Sequence, residues 1–125
     1  MKRRFRLRRD GDFQSVLKGR RIYAGQSLVA FSRPSPSGNT RIGVAVSRQL
    51  KGSVRRNRAR RRLREAARLR LIPHDSDDAS PGIPYDVVLI ARPAALTLST
   101  ADLESEVMAV RARLPVRPHA TGDRR

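Results

Sequence analysis

The stretch SVRRNRARRRLREAARLR, Ser53 to Arg70, sets nine arginines against a single acid in eighteen residues. A run this basic can belong to a disordered tail, a targeting signal, a solvated helix face or a surface built to sit on nucleic acid. Laid on a helix at about 100° per residue, Ala59, Leu63, Ala66 and Ala67 fall on one side. Asn57, Arg61, Arg64 and Arg68 fall opposite, with Arg58 and Glu65 beside them. A disordered tail needs no such stripe, and a solvated face mixes signs in i,i+4 pairs. The stripe is small-sided, so the helix backbone can lie close to a sheet while the arginines are held outward at fixed spacing. Guanidinium groups fixed in advance lose less entropy on meeting the regular phosphates of a nucleic acid.

Working outward from that helix, Lys51-Gly-Ser53 reads as a turn with Ser53 as N-cap, and Pro73 stops the helix after Arg70 to Ile72. Upstream, Arg41-Ile-Gly-Val-Ala-Val-Ser47 reads as a strand. Its large residues, Ile42, Val44 and Val46, share the face that should be core. Gly43, Ala45 and Ser47 share the other, which either lies against another backbone or forms the floor of a groove. Downstream, Tyr85-Asp-Val-Val-Leu-Ile-Ala91 is a continuous apolar run suited to a central strand. A last helix follows, capped by Ser99 or Thr100, with Leu103, Val107, Val110 and Leu114 at the spacing of one buried stripe.

Nearer the start, Met1 to Arg9 forms a basic arm. The next segment, from Asp10 to Lys18, reads as a short helix capped by Asp10 or Asp12, with Phe13, Val16 and Leu17 at helical spacing and Gly19 at its end. Ile22 to Ser32 contains the apolar, strand-forming run Ser27-Leu-Val-Ala-Phe-Ser32, followed by the turn formers Arg33 to Asn39. The order helix, strand, strand, helix, strand, helix predicts one α+β domain, a small sheet with helices packed on it.

The 125 residues suit a single domain, and 28 Lys+Arg against 11 Asp+Glu leave a net charge of +17, so the chain makes sense beside a polyanion. Arginine predominates among the cations, and its planar fork pairs with phosphate through two hydrogen bonds and stacks on bases. Cysteine is absent, which leaves no disulfide framework and no thiolate metal site and suits a reducing cytoplasm. No apolar run reaches signal-peptide or membrane-spanning length, so neither secretion by that route nor a membrane partner is expected.

The residues around the basic helix resemble the signature of the protein subunit family of bacterial ribonuclease P. The resemblance is carried by Arg41-Ile-Gly-Val-Ala-Val-Ser-Arg48, by Gly52-Ser-Val54, and by Arg56-Asn57-Arg58 followed by Arg60, Arg61, Leu63, Arg64 and Glu65. It extends from the Arg-rich opening and Asp12-Phe13 through Tyr85-Asp-Val-Val to the final helix. As fold it implies a two-layer α/β sandwich, α+β in class, with a small central mixed sheet and a left-handed crossover, the ribosomal protein S5 domain 2-like arrangement. The domain would occupy residues 1–115, and residues 116–125 would be a disordered basic tail.

As function the resemblance implies the protein subunit of ribonuclease P, an endoribonuclease that removes the 5′ leader of precursor tRNA. The RNA subunit would carry the hydrolysis with Mg²⁺, the protein would contribute no catalytic residue and hold no metal, and no protein partner would be required. Arg56, Asn57, Arg58, Arg60, Arg61, Arg64 and Arg68 would contact the RNA subunit. The single-stranded leader would lie in a cleft between the first helix and the sheet, lined by Phe13, Leu17, Phe31, Arg41, Gly43, Ala45, Ser47 and Arg48. Single strands are held by aromatic stacking within a positive groove, and only three Phe and two Tyr are available. Taken alone, Phe13 suits a core as well as a cleft; the resemblance places it on the cleft wall and Phe31 on the floor. Two departures thin the expected contacts: Gln49 stands where the family usually has a second lysine, and Leu17 where a second aromatic is often seen.

The alternatives explain less. A free-standing nuclease would need histidines or a metal set, but His74 and His119 fall in a predicted loop and tail. Asp75, Asp77 and Asp78 lack the glycine and distal glutamate of a calcium loop. A basic ribosomal or other structural RNA-binding protein would account for the charge without the Arg56-Asn57-Arg58 block, and a basic zipper is ruled out by Pro73.

Overall fold

The computed structural model describes residues 5–36, 40–72 and 85–114. In chain order these form α1 (Asp10–Leu17), β1 (Arg20–Ala24), β2 (Leu28–Pro34), β3 (Arg41–Val46), α2 (Ser53–Arg70), β4 (Tyr85–Ala91), a 3₁₀ turn at Pro93–Leu96 and α3 (Thr100–Arg113). The acidic segment with His74 and the tail with His119 lie outside the described residues.

The four strands make one mixed sheet in the order β1-β2-β4-β3. β1 with β2 and β2 with β4 are antiparallel, whereas β3 and β4 are parallel neighbours joined through α2. The continuous apolar run of β4 has a plain cause: it is a central strand with both faces covered along most of its length.

One face of the sheet presents Leu28, Ala30, Ile42, Val46, Val87, Leu89 and Ala91 to α2 and α3, and this is the main core. The helix stripe read from the sequence is the docked one, since Ala59, Leu63, Ala66 and Ala67 are all buried. Ser99 caps α3 as expected, its Oγ accepting from the Asp102 N–H at 3.0 Å, and Leu103, Val107 and Val110 are buried.

Three local expectations are corrected. Where one strand was read between α1 and the turn formers there are two: the Ser27 to Ser32 run lies largely in β2, and β1 precedes it, with a register shift between Arg21 and Tyr23. Asp10 and Asp12 do not cap α1: the N-cap is Arg9, and Asp12 is drawn away by two arginines described below. Ser53 is the first residue of α2, not its cap. Gly52 holds the cap position at φ 91°, in the left-handed region where a side chain would be strained. The basic arm, in its described part, is pinned: Leu7 donates its N–H to the Ile42 carbonyl at 2.8 Å and is buried, so the chain enters as a short extension beside β3.

Candidate nucleic-acid interfaces

The second face of the sheet is organised in three cross-strand rows, read across β2, β4 and β3. The first row is Arg33, Asp86 and Arg41; the second is Phe31, Val88 and Gly43; the third is Val29, Ile90 and Ala45. Each row has a different cover, and this decides where an extended ligand can lie.

The first row is closed by charge. Asp86 is fully buried, and the Arg41 guanidinium grips it with Nε on one carboxylate oxygen at 2.9 Å and Nη2 on the other at 2.8 Å. Arg33 Nε adds a bond at 3.0 Å, and both arginines reach Asp12 of α1 at 3.4 and 3.5 Å. Burial pushes the Asp86 carboxyl up, but the hydrogen bonds from Arg41 and Arg33 outweigh it and hold the group below the ordinary carboxylate range. The Arg41 guanidinium is raised chiefly by the same bond to Asp86. Arg41 was expected on the leader path; in the structure its fork is bonded to Asp86.

The second row is closed by packing. A Cβ on Gly43 would stand 2.5 Å from Phe13 Cζ and 3.2 Å from Leu7 Cβ, so the absent side chain of Gly43 makes room for the Phe13 ring and not for a ligand. Phe13, Leu17 and Phe31 are half-buried around Leu7, Val16 and Val88.

The third row is the open one. Val29, Ile90 and Ala45 are only partly covered and continue the surface offered by Phe31 and Leu17. Arg21, exposed and directly paired with Phe31 across β1 and β2, supplies a cation on the same face. Arg48 is exposed just beyond β3, where Ser47 is half-buried. The Ser47 Oγ accepts from the Gln49 N–H at 3.1 Å, so the departure at Gln49 leaves that turn intact through its backbone. Of the expected leader residues, Phe13, Leu17, Phe31 and Ala45 therefore come together, Ser47 and Arg48 stand beyond the end of their strand, and Gly43 and Arg41 serve as support. Val29, Ile90 and Arg21 stand on the same open face and were not singled out from the sequence. The alternation of the strands carried the first two; Arg21 required the pairing of β1, which the sequence did not reveal.

On the other side of the sheet, the arginines of α2 divide by task. Arg56 turns inward: its Nη1 donates to the Ser47 and Leu50 carbonyls at 2.9 and 2.8 Å, and its Nη2 to the Val46 carbonyl at 3.3 Å. Arg62, which the sequence did not single out, donates to the Ala95 and Leu98 carbonyls, both at 2.6 Å, and ties α2 to the 3₁₀ turn. These are internal braces on carbonyls at the end of β3 and in the turns, the Ser47 carbonyl also accepting the Leu50 N–H at 3.1 Å.

The outward set is different. Arg58 and Arg61 are exposed and make no hydrogen bond or ion pair among the described residues. Arg60 is steadied by the Asn57 Oδ1 at 2.7 Å, and Arg68 pairs with Glu65 at 2.6 Å. Arg64 is half-buried; burial first, and then the like charges of Arg6 and Arg60, lower its guanidinium below the ordinary value. Like charges held together with no acid between them are a site for an anion.

Comparison with known proteins shows the family. A family model described as Ribonuclease P matches residues 1–114. The ribonuclease P protein component of Acidothermus cellulolyticus is 37% identical over a 127-residue alignment covering 95% of each chain. That of Clostridioides difficile is 32% identical over 101 residues, 81% of this chain and 83% of that one. Among solved structures, a Staphylococcus aureus RNase P protein mutant with defective mRNA degradation activity superimposes with a TM-score of 0.68 at 26% identity, covering 87% of this chain and 86% of that one. The RNase P protein of Thermotoga maritima has the same fold, with a TM-score of 0.68 at 22% identity over 89% of this chain and 98% of its own.

Proposed function

The chain belongs to the ribonuclease P protein family and is a protein subunit of ribonuclease P, acting in tRNA 5′ processing; from that premise we propose how its two surfaces divide the work. The outward ridge of α2, with Arg58, Arg60, Arg61 and Arg64 at its centre, docks on the ribonuclease P RNA. The third row of the opposite sheet face, flanked by Phe13, Leu17 and Phe31, receives the single-stranded 5′ leader of precursor tRNA.

One observation carries this reading: two chemically distinct surfaces lie on opposite faces of one sheet. The α2 ridge offers guanidinium groups with no aromatic side chain among them, which suits a folded RNA presenting phosphates. The sheet face offers aromatic and aliphatic platforms edged by Arg21 and Arg48, which suits an unpaired strand. A protein so built holds the catalytic RNA on one side and the substrate on the other.

Hydrolysis with Mg²⁺ is assigned to the RNA subunit. In support, the buried carboxylate of Asp86 is saturated by arginine and so is taken up by the fold. A cytoplasmic location is part of the same proposal; no helix among the described residues is long and apolar enough to cross a membrane.

The decisive experiment mixes purified protein with precursor tRNA at physiological salt and low Mg²⁺, with and without a bacterial ribonuclease P RNA. Cleavage at the mature 5′ end is expected only when the RNA is present, and the protein should raise its rate most for substrates that carry a leader. Cleavage by protein alone, or no gain over RNA alone, overturns the assignment.

A further inference from the structure

The first row of the sheet face, Arg33, Asp86 and Arg41, meets α1 through one side chain. Both arginines are paired with Asp86, and Asp12 of α1 reaches the same two arginines. The Asp12 carboxylate sits astride them: Oδ1 is 3.4 Å from Arg33 Nη2, and Oδ2 is 3.5 Å from Arg41 Nη1. Arg33 stands on β2 and Arg41 on β3, on either side of β4. A single carboxylate therefore ties the start of α1 to two strands at once.

The helix has need of such a tie. It is eight residues long, no side chain caps its N-terminus, and Val16 is its one buried residue. A helix this short is marginal without tertiary contacts. Apolar packing of Val16 and Phe13 holds it on the sheet but has little directional preference. Two ion pairs made by the two oxygens of one carboxylate do have direction, and they fix how the helix is turned. Phe13, the next residue, covers Gly43, and Leu17 lies just over one turn further on, in the cluster with Phe31 and Ile90. A rotation of α1 that released Asp12 would move both of these side chains.

We propose that Asp12 is a positioning residue for the leader: by holding α1 on Arg33 and Arg41, it sets where Phe13 and Leu17 stand beside the third row. The proposal rests on the reading that this row receives the leader, and it adds a residue that acts through others. Asp86 prepares the seat, since its bonds fix both guanidinium groups where Asp12 meets them. The Asp12 contacts are longer than close charge-assisted bonds, and its side chain keeps 27% of its surface exposed, so it adds little to global stability. A weak pair of this kind still shifts the population of the aligned helix severalfold. Asp10, the other acid of the first turn, is exposed and makes no ion pair among the described residues. Any general benefit of negative charge near the helix N-terminus belongs to Asp10 as well.

The test uses holoenzyme reconstituted from the full chain and ribonuclease P RNA, cleaving precursor tRNA with either a long leader or a leader of one nucleotide. Asp12→Asn keeps the shape of the side chain and removes its charge. It should raise KM for the long leader about fivefold, the shift a pair of this strength supplies. kcat, KM for the short leader and the urea midpoint should stay close to those of the parent. Asp12→Glu keeps the charge and should restore the long-leader KM, while Asp10→Asn should not raise it. An unchanged long-leader KM in Asp12→Asn overturns the proposal, as does a lower one produced by Arg33 and Arg41 turning to leader phosphates. An equal rise for both leaders, the mark of a merely structural role, overturns it too. Phe31→Ala, measured alongside, separates the two levels. If it raises the long-leader KM and Asp12→Asn does not, the leader surface stands and the role of Asp12 falls; if neither does, the leader reading falls as well.

Discussion

The ring of Phe13 lies over the backbone of Gly43, so close that a Cβ there would stand 2.5 Å from Cζ. The contact joins α1 to an edge strand of the sheet and sets the height of the wall beside the open row. Gly43→Ala must push the ring away. We expect a loss of about 1–3 kcal/mol in urea unfolding, the usual cost of overpacking. We also expect a lower preference for leader-bearing over leaderless precursor tRNA. Unchanged leader preference with a displaced ring would separate Phe13 from the leader path.

Phe31→Ala tests the floor itself. Phe31 is half-buried and directly faces Val88, so stability should fall modestly. Assembly with the RNA subunit should be unaltered, while affinity for leader-bearing substrate should fall by roughly 1–3 kcal/mol for one lost stacking platform. Equal losses for leader-bearing and leaderless substrates would show that Phe31 acts only in the fold.

Asp86 gives a pH signature. Its carboxyl is held below the ordinary range, so the folded state binds its proton less readily than the unfolded chain does. The resulting stability is present in full above the unfolded value of about 3.9 and is lost as pH falls through the folded value. Asp86→Ala should cost about 3 kcal/mol near neutrality, the low end for breaking a buried pair, because Arg33 and Arg41 keep about 20% solvent access. The gap between parent and variant in urea unfolding should hold steady down to about pH 5 and close in more acid solution.

The arginines of α2 can be sorted by salt. Arg58→Ala and Arg61→Ala should each lower RNA affinity and reduce the slope of log affinity against log salt by about one, with stability unchanged. Arg56→Ala and Arg62→Ala should do the reverse: a loss of roughly 1–3 kcal/mol from unpaired carbonyls, with the slope preserved once folded protein is compared. A common slope change across all four would dissolve the distinction between brace and ridge.

How much of this was legible in the sequence follows from the range of each cause. The stripe of Ala59, Leu63, Ala66 and Ala67 is periodic along one helix, and the β4 run and the Ser99 cap are equally local, so they could be read directly. The hairpin of β1 and β2 could not, because β1 carries two exposed arginines and a register shift in place of a clean alternation. The caps misled because Asp12 finds charged partners on β2 and β3 that outbid a backbone N–H. Arg41 and Asp86 are 45 positions apart, and Gly43 meets Phe13 on the same face of the sheet from an element distant in sequence. Only the pairing of the strands brings these residues together, and with them the covering of the Gly43 row by the Phe13 ring.

The braces have a consequence for how such a sequence can drift. Arg56 spans three carbonyls and Arg62 two with a single planar group. A lysine ammonium, a compact point charge, cannot copy that reach, though it meets a phosphate well enough. A lineage whose base composition moves codons from arginine toward lysine can rewrite the outward ridge and keep its RNA. At positions 56 and 62 the same exchange strikes the fold, so these two arginines anchor the helix against a mutational tide that its neighbours can ride.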